Sequence, residues 1–177
     1  MQRLNILHAS SWDEIVQMVG ERASSAAPGE WIVGRGWHQE KWNQVPAEHI
    51  HGYPLHRGLS EVSPNNPVLL LHASGHGAFA NKAAMVAAGI SKETADPVGG
   101  EIVRDRNGEP IGMFEETAQG LVGHAYNSYL NTISAEDRLA EWQEGIKLAA
   151  EECLKYGITS FQDAGSSFES IERYRKM

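Results

Sequence analysis

Cysteine is nearly absent, because Cys153 is the single one among 177 residues and the chain can form no disulfide with itself. Its place on an apolar helical stripe predicts a buried core thiol rather than a catalytic one. Long apolar runs are also missing, since none approaches the roughly 20 residues that a membrane span requires. We therefore expect no signal peptide, no membrane partner and a cytoplasmic location.

Positive charge is scarce and scattered. The chain has 15 Lys and Arg residues against 23 Asp and Glu residues, a formal charge of −8, and the basic residues form no cluster. Phosphate binding needs a concentrated positive face, so nucleic acid is not an expected partner. The hydrophobic content of 41% is ordinary and the length suits one domain with a real core, so disorder is not expected.

The chain is organised around residues 69–116. An apolar strand, expected to be buried on both faces, ends at His72. His76 follows in a loop between two glycines. Because glycines disfavour a helix here, His72 and His76 are not expected on one helical face and form a poor metal motif. Asn81 is placed to cap a helix that ends at Gly89.

The second half of this stretch predicts a β-hairpin. Residues 102–104 and 111–113 flank the pair Asn107-Gly108, which favours a primed turn between two strands. Glu115 and Glu116 are then expected to open a further helix.

The N-terminal part combines a helix signal with an aromatic candidate for the core or for a pocket. Ser11 followed three residues later by Glu14 is a capping-box pattern and predicts a helix from that point. Residues 31–33 form a predicted strand that runs into a glycine-rich turn. Gly36 lets the backbone turn sharply, so the large face of Trp37 either fills the core or lines a pocket.

The C-terminal part has helices and a strand in the order that is typical of a βα barrel. Its clearest predicted helix begins at Ser134 and stops at Gly157. The apolar positions of this helix follow three-and-four spacing: Leu139, Trp142, Ile146, Ala149 and Cys153. Residues 158–163 predict a strand and residues 168–175 a further helix, which repeats the unit of such a barrel. Asp163 then either faces an active site or caps the next helix.

Several short pieces, taken in order, resemble one branch of the metal-dependent amidohydrolase superfamily, the branch that contains N-substituted formamide deformylases and exoenzyme-regulatory-protein-like hydrolases. The resemblance extends over residues 28–165. Its pieces are residues 29–37 (GEWIVGRGW), 63–68 (SPNNPV), 75–76, Asn81, Ala84, 89–90, Thr94, 96–97, 99–100, Gly108, Pro110, Gly112, 116–118 and 157–160. The family more often has Asp where Ser74 stands.

The resemblance implies an α/β protein, with a lid-like inserted α+β subdomain over residues 1–133 and one or two βα units of a partial TIM barrel over residues 134–177. It also implies a metal-dependent hydrolase of non-peptide carbon–nitrogen bonds, with a divalent metal, zinc, in the full-length enzyme. Such a metal lowers the pKa of a bound water so that hydroxide attacks the substrate. The family's His-x-His pair ends an apolar strand, whereas His49-Ile50-His51 lies in a turn-rich connection, so no metal ligand is assigned.

Trp37, His76 and Glu116 match the family pattern, and each is expected at the edge of an element. An apolar face, a titratable donor and a carboxylate would suit a small polar substrate with an apolar group. Together with Asp163, they are the expected substrate-pocket residues, and no catalytic residue is assigned. The alternative is that Glu116 favours the N-terminus of its helix while His76 binds backbone in its loop.

Two functions stay open. The chain is either an internal piece of a longer hydrolase, inactive alone and able to self-associate through exposed barrel faces, or a free-standing α/β binding module without metal chemistry. A third interpretation is an independent hydrolase that uses the histidines at 49, 51 and 56 or at 72 and 76. It is weaker because the first three have no acidic residue or cysteine at a fixed spacing and lie where solvated surface is expected.

Overall fold

The computed structural model describes residues 3–176; Met1, Gln2 and Met177, which belong to the expected ranges 1–133 and 134–177, lie outside the described residues. Contacts between Cα atoms divide the chain into two units, Arg3–Thr132 and residues 133–176. Strands and helices are both present, as the expected α/β class requires. No helix within residues 3–176 is long and apolar enough to cross a membrane.

The first unit contains all the strands found in the described residues. They are β1 (Leu4–Asn5), β2 (Ile32–Trp37), β3 (His49–Ile50), β4 (Tyr53–Pro54), β5 (Val68–His72), β6 (Gly77–Ala80), β7 (Gly100–Arg104) and β8 (Pro110–Glu116). Its helices are α1 (Trp12–Ser25), α2 (Arg57–Val62), α3 (Lys82–Ala87) and α4 (Gln119–Leu130), with a 3-10 turn at Gln39–Lys41.

Six of these strands form one mixed sheet in the order β1-β2-β5-β6-β8-β7, and β3 pairs with β4 as a separate ribbon. The pairs β1–β2 and β2–β5 are parallel, whereas β5–β6, β6–β8 and β7–β8 are antiparallel. The central strand β5 is buried on both faces, because Val68 and Leu70 are 0% exposed and Leu69 is 4% exposed. This confirms the interpretation of its unbroken apolar run.

The hairpin predicted from the centre of the chain is present as β7 and β8, but its turn is not of the primed type. A primed type I turn needs positive φ at both central residues. Of Asn107 and Gly108, only the glycine has positive φ, at 83°. The Gly108 N–H donates to the Asp105 carbonyl at 3.0 Å, so a turn over residues 105–108 ends in a left-handed glycine.

The helix expected to open at Glu115 and Glu116 was wrong, because both residues end strand β8 and α4 begins only at Gln119. Local acidic residues suggested a helix N-terminus, but pairing with two neighbours decided the conformation. Glu115 pairs with Gly77 of β6 on one side and with Glu101 of β7 on the other. Tertiary pairing of this kind overrides weak local preference.

The turn expected before Trp37 was also wrong, since β2 continues through this residue. Gly36 has φ of 112°, and the register between β2 and β5 shifts between Arg35 and Trp37, so the glycine forms a bulge instead of ending the strand. The bulge turns the indole inward, where Trp37 is 1% exposed and its Nε1–H donates to the Leu70 carbonyl at 3.0 Å.

The second unit contains two helices, α5 (Ala135–Lys155) and α6 (Phe168–Tyr174). Ser134 caps α5 as predicted, by accepting from the Asp137 N–H. The expected strand over residues 158–163 is absent from the described residues, and Phe161 is 71% exposed. An isolated segment gains no strand hydrogen bonds without a neighbouring strand, which explains the difference.

The apolar stripe of α5 is not buried. No residue of this helix is buried, and Cys153 is half-buried, which corrects its assignment to a closed core. Trp142 lies with its ring centroid 5.0 Å from that of Tyr174 of α6. The stripe is thus amphipathic as predicted but only partly covered within residues 133–176.

Asn81 joins three segments of the first unit. It follows β6 directly and is 0% exposed. Its Oδ1 accepts from the Val68 and Ala84 N–H groups, both at 2.9 Å, so it anchors β5 and caps α3. Its Nδ2 donates to the Ser63 carbonyl at 2.8 Å and the Asn66 carbonyl at 3.0 Å. Every hydrogen-bonding position of the amide is therefore used.

We expect Asn81→Ala to lower the free energy of unfolding by about 3 kcal/mol or more, because it strands buried backbone groups and removes a helix cap. Urea denaturation followed by circular dichroism measures the change. Asn131→Ala is the matched control, since this asparagine is exposed, and it should cost less than about 0.5 kcal/mol. Equal costs for the two variants would contradict the role of Asn81.

Candidate substrate pocket

A small pocket, here called the His76 pocket, lies where the β5–β6 connection meets the end of β8. Its volume is about 180 Å³. Its polar lining groups come from three places in the chain: Tyr53 of β4, the histidines at 72 and 76 with Ser74 between them, and Glu115 and Glu116 of β8. Residues 40 or more positions apart in sequence are brought together because β6 pairs with both β5 and β8.

His76 and Glu116 form a direct pair. The Nδ1 atom of His76 lies 3.1 Å from Oε2 of Glu116, and the Glu116 N–H donates to the His76 carbonyl at 2.9 Å. Glu116 has φ of 50°, a left-handed conformation that is uncommon for residues other than glycine. This conformation ends β8. Both side chains remain more than half exposed, at 71% and 57%, so they can reach a ligand.

Tyr53 and Glu115 form a second pair, in which the tyrosine hydroxyl donates to Oε1 of Glu115 at 2.7 Å. Burial, and then the hydrogen bond and charge of Glu115, raise the pKa of Tyr53 from 10.0 to about 12. The phenol therefore stays protonated at neutral pH and holds the Glu115 carboxylate in position.

His72 is a neutral, oriented ring. Its Nδ1 accepts from the Ser74 N–H at 3.2 Å, so the ring proton is assigned to Nε2, which donates to Gln39 Oε1 at 3.1 Å. Burial, and then the neighbouring His38, lower the pKa of His72, which favours this neutral form. Trp37 packs edge-on against the His72 ring, with centroids 4.6 Å apart.

The structure brings together two of the four expected pocket residues. His76 and Glu116 are in contact, as the shared-pocket hypothesis requires. Trp37 does not line the pocket, since it is buried behind His72 and fills the core. Asp163 belongs to the second unit, where its carboxylate accepts from Gly165 N–H and the Ser166 hydroxyl; Ser167, not Asp163, caps α6.

The sequence did not indicate Tyr53, Glu115 or the place of His72 in the pocket lining. Tyr53 lies 62 positions from Glu115 and sits in a stretch without periodicity, so no local signal could pair them. Glu115 could have been considered as a pocket residue from the sequence, because it is adjacent to Glu116. Adjacent strand residues face opposite sides of a sheet, and the left-handed conformation of Glu116 is what lets both carboxylates reach one pocket.

The described residues do not fit a resident metal. Across residues 3–176 no three or more His, Cys, Asp or Glu side chains are grouped so that they could hold one ion. A catalytic zinc takes three protein ligands and one water. His76 and Glu116 offer two donors, and His72 is committed to Ser74 and Gln39. We therefore derive no chemical step through a metal at this pocket.

Comparison with known proteins decides the family. The family model described as "Amidohydrolase family" matches residues 1–177. The chain belongs to the amidohydrolase family. Among curated relatives, N-substituted formamide deformylase of Arthrobacter pascens is 34% identical over 170 residues, covering 93% of this chain and 28% of that protein. Protein LONG AFTER FAR-RED 3 of Arabidopsis thaliana is 33% identical over 168 residues, covering 95% of this chain and 26% of that protein.

This amidohydrolase-family chain also shares its fold with solved structures. An uncharacterized metal-dependent hydrolase from Pyrococcus horikoshii OT3 superposes with a TM-score of 0.56 at 18% identity, covering 98% of this chain and 29% of that one. A similar protein from Pyrococcus furiosus gives a TM-score of 0.53 at 17% identity. The chain thus spans between a quarter and a third of the length of these relatives.

We expect Glu115→Gln to lower the pKa of Tyr53 without restoring its ordinary value, because burial is the larger cause of the shift. NMR titration of the Tyr53 ring measures it. The folded pKa lies above the unfolded one, so the stability contribution is complete below pH 10.0 and lost as the pH rises towards about 12. Glu116→Gln is the control and should leave Tyr53 unchanged; an equal shift in both variants would sink the assignment.

Proposed function

We propose that this chain supplies part of the substrate-pocket wall of a metal-dependent hydrolase that acts on non-peptide carbon–nitrogen bonds, and that the activity requires a longer chain. The observation that carries the proposal is the His76–Glu116 pair, held at 3.1 Å beside the Tyr53–Glu115 pair in one pocket. Family membership supports the reaction class. The share of the relatives' length that this chain covers supports the need for further sequence.

The pocket residues would bind and orient an amide-type substrate. In the neutral ring with Nδ1–H donating to Glu116, the Nε2 atom of His76 accepts a hydrogen bond from a substrate N–H. When the ring is protonated, Nε2 donates to a substrate carbonyl and the Glu116 carboxylate balances the charge. Glu115, fixed by Tyr53, offers a further acceptor. These groups position a substrate and do not themselves break a bond.

The divalent metal of the complete enzyme, which we propose to be zinc, would be held by residues other than those at the His76 pocket. When bound, such a metal lowers the pKa of its water and supplies the hydroxide. We assign residues 1–133 to an inserted lid and residues 134–177 to βα units of a TIM barrel, in which residues 158–163 would form a strand only beside a strand of the longer chain. The strongly exposed Leu154, Phe161 and Phe168 support this assignment, since neighbouring barrel units would cover such side chains.

A binding module without metal chemistry is the second candidate. It is favoured by one observation: the described residues hold a formed pocket but no three-ligand metal cluster. The two candidates differ in the activity expected of the protein that the complete reading frame encodes. A hydrolase turns over substrate in a metal-dependent manner, whereas a binding module retains the ligand unchanged.

The test compares the product of the complete reading frame with the 177-residue chain, using a panel of N-substituted formamides and N-acyl amines. We expect metal-dependent turnover by the former, abolished by a chelator and restored by zinc, and none by the latter. In the active protein, His76→Gln should lower kcat/KM about tenfold or more, because an orienting group is lost.

His124→Gln is the matched control, since His124 is exposed on α4 and outside the pocket. It should leave kcat/KM unchanged. Turnover by the isolated 177-residue chain would overturn the need for further sequence. Ligand binding without turnover by the complete product would favour the binding module.

A further inference from the structure

A second and larger cleft, here called the His56 cleft, shares no lining residue with the His76 pocket. Its volume is about 550 Å³, within the range of small-molecule sites. It opens between α2, α3 and the β7–β8 turn. Nine of its fourteen lining residues are polar or charged, and the five apolar ones are Leu55, Met85, Ile90, Pro110 and Ile111. A ligand with both a charged and an apolar part matches such a lining.

His56 brings an imidazole ring to the lining of this cleft. The Ser60 hydroxyl accepts from the Lys82 N–H at 2.9 Å and lies 2.9 Å from His56 Nδ1. In the tautomer in which this hydroxyl donates to Nδ1, the ring proton lies on Nε2; in the other tautomer Nδ1–H donates to the hydroxyl. Nε2 has no partner within residues 3–176. The ring can sit this close because Gly112, with φ of 104°, leaves room; a Cβ there would lie 2.9 Å from His56 Cβ.

Two cations act on His56, although the cleft as a whole is lined by three cationic and three acidic residues: Arg57, Lys82, Lys92, Glu93, Asp105 and Glu109. Burial is the largest cause that lowers the pKa of His56; the charge of Lys82 lowers it next, a backbone hydrogen bond at His56 raises it, and the charge of Arg57 lowers it again. Arg57 pairs with Glu48 at 3.2 Å on the surface, whereas Lys82 has no acidic partner in the part of the chain that is described. At the other end, Asp105 is committed to its turn by accepting from Asn107 and Glu109 N–H groups.

We propose that the His56 cleft binds a small molecule with one carboxylate and a short apolar chain. The carboxylate would accept from His56 Nε2–H and pair with Lys82, while the chain would lie on Met85, Ile90 and Ile111. The site is separate from the His76 pocket. Ile111 and Glu116 lie five residues apart on β8, about 17 Å in an extended strand, so one small ligand cannot touch both.

The test uses 4-methylpentanoate as the probe and follows binding to the 177-residue chain by amide NMR titration. Two comparison compounds separate the contributions: 4-methylpentan-1-ol lacks the charge, and inorganic phosphate lacks the apolar chain. We expect saturable binding of the carboxylate, with shifts at residues 82–93 and 105–111, and binding about tenfold or more weaker for either comparison compound. Equal binding of phosphate or of the alcohol would overturn the proposed ligand class.

Two variants test the polar end. Lys82→Gln is on the surface and should weaken binding of the probe about tenfold, and His56→Gln should do the same. His76→Gln and Glu109→Gln are controls that should leave the affinity unchanged or, for the second, slightly higher. The proposal fails if the probe does not saturate, if Lys82→Gln has no effect, or if His76→Gln abolishes binding, since that result would move the ligand to the other pocket.

Discussion

The buried amide of Asn81 is the constraint on which the placement of both clefts depends. It fixes the start of β5, the end of β6 and the start of α3 through four hydrogen bonds. The antiparallel register between β5 and β6, with Leu69 opposite Ala80, begins beside it. His72 and His76 lie at the far end of the same strand pair, so their separation follows from that register. Directly after Asn81, at the start of α3, the Lys82 N–H donates to the Ser60 hydroxyl.

Strand β8 then connects the two sites. Its N-terminal residues Pro110 and Ile111 line the His56 cleft, and its C-terminal residues Glu115 and Glu116 line the His76 pocket. A glycine at 112 permits the close approach of His56, and a left-handed residue at 116 ends the strand with its carboxylate beside His76. The His76 pocket presents the carboxylates of Glu115 and Glu116, whereas the His56 cleft is lined by both basic and acidic residues. One strand thus lines two separate pockets.

The second unit differs from the first in what it leaves uncovered. The first unit closes a core of aromatic and aliphatic side chains in which Trp12, Trp37 and Phe79 are buried. In the second, α5 has no buried residue and Phe161 and Phe168 are strongly exposed. Apolar side chains that stay in water forgo about 25 cal/mol for each Å² that burial would remove. These exposed faces are the reason for assigning the second unit to a larger barrel in the function proposed above.

The sequence alone determined the elements whose signals are local. The Ser11, Asn81 and Ser134 caps, the doubly buried β5 and the β7–β8 hairpin follow from capping chemistry and periodicity, which depend on residues a few positions apart. Order and spacing of short pieces also indicated the amidohydrolase family. Of the candidate site, the sequence identified His76 and Glu116.

Only the tertiary structure decided the rest. Glu115 and Glu116 became strand instead of helix because β6 and β7 pair with them, and Trp37 turned into the core because a bulge at Gly36 redirected it. Tyr53 and the His56 cleft depend on contacts between segments far apart in sequence. The expected strand over residues 158–163 did not form, because a strand is stable only beside another strand. Local patterns encode the elements, whereas pairing and burial between distant residues select the side chains that meet.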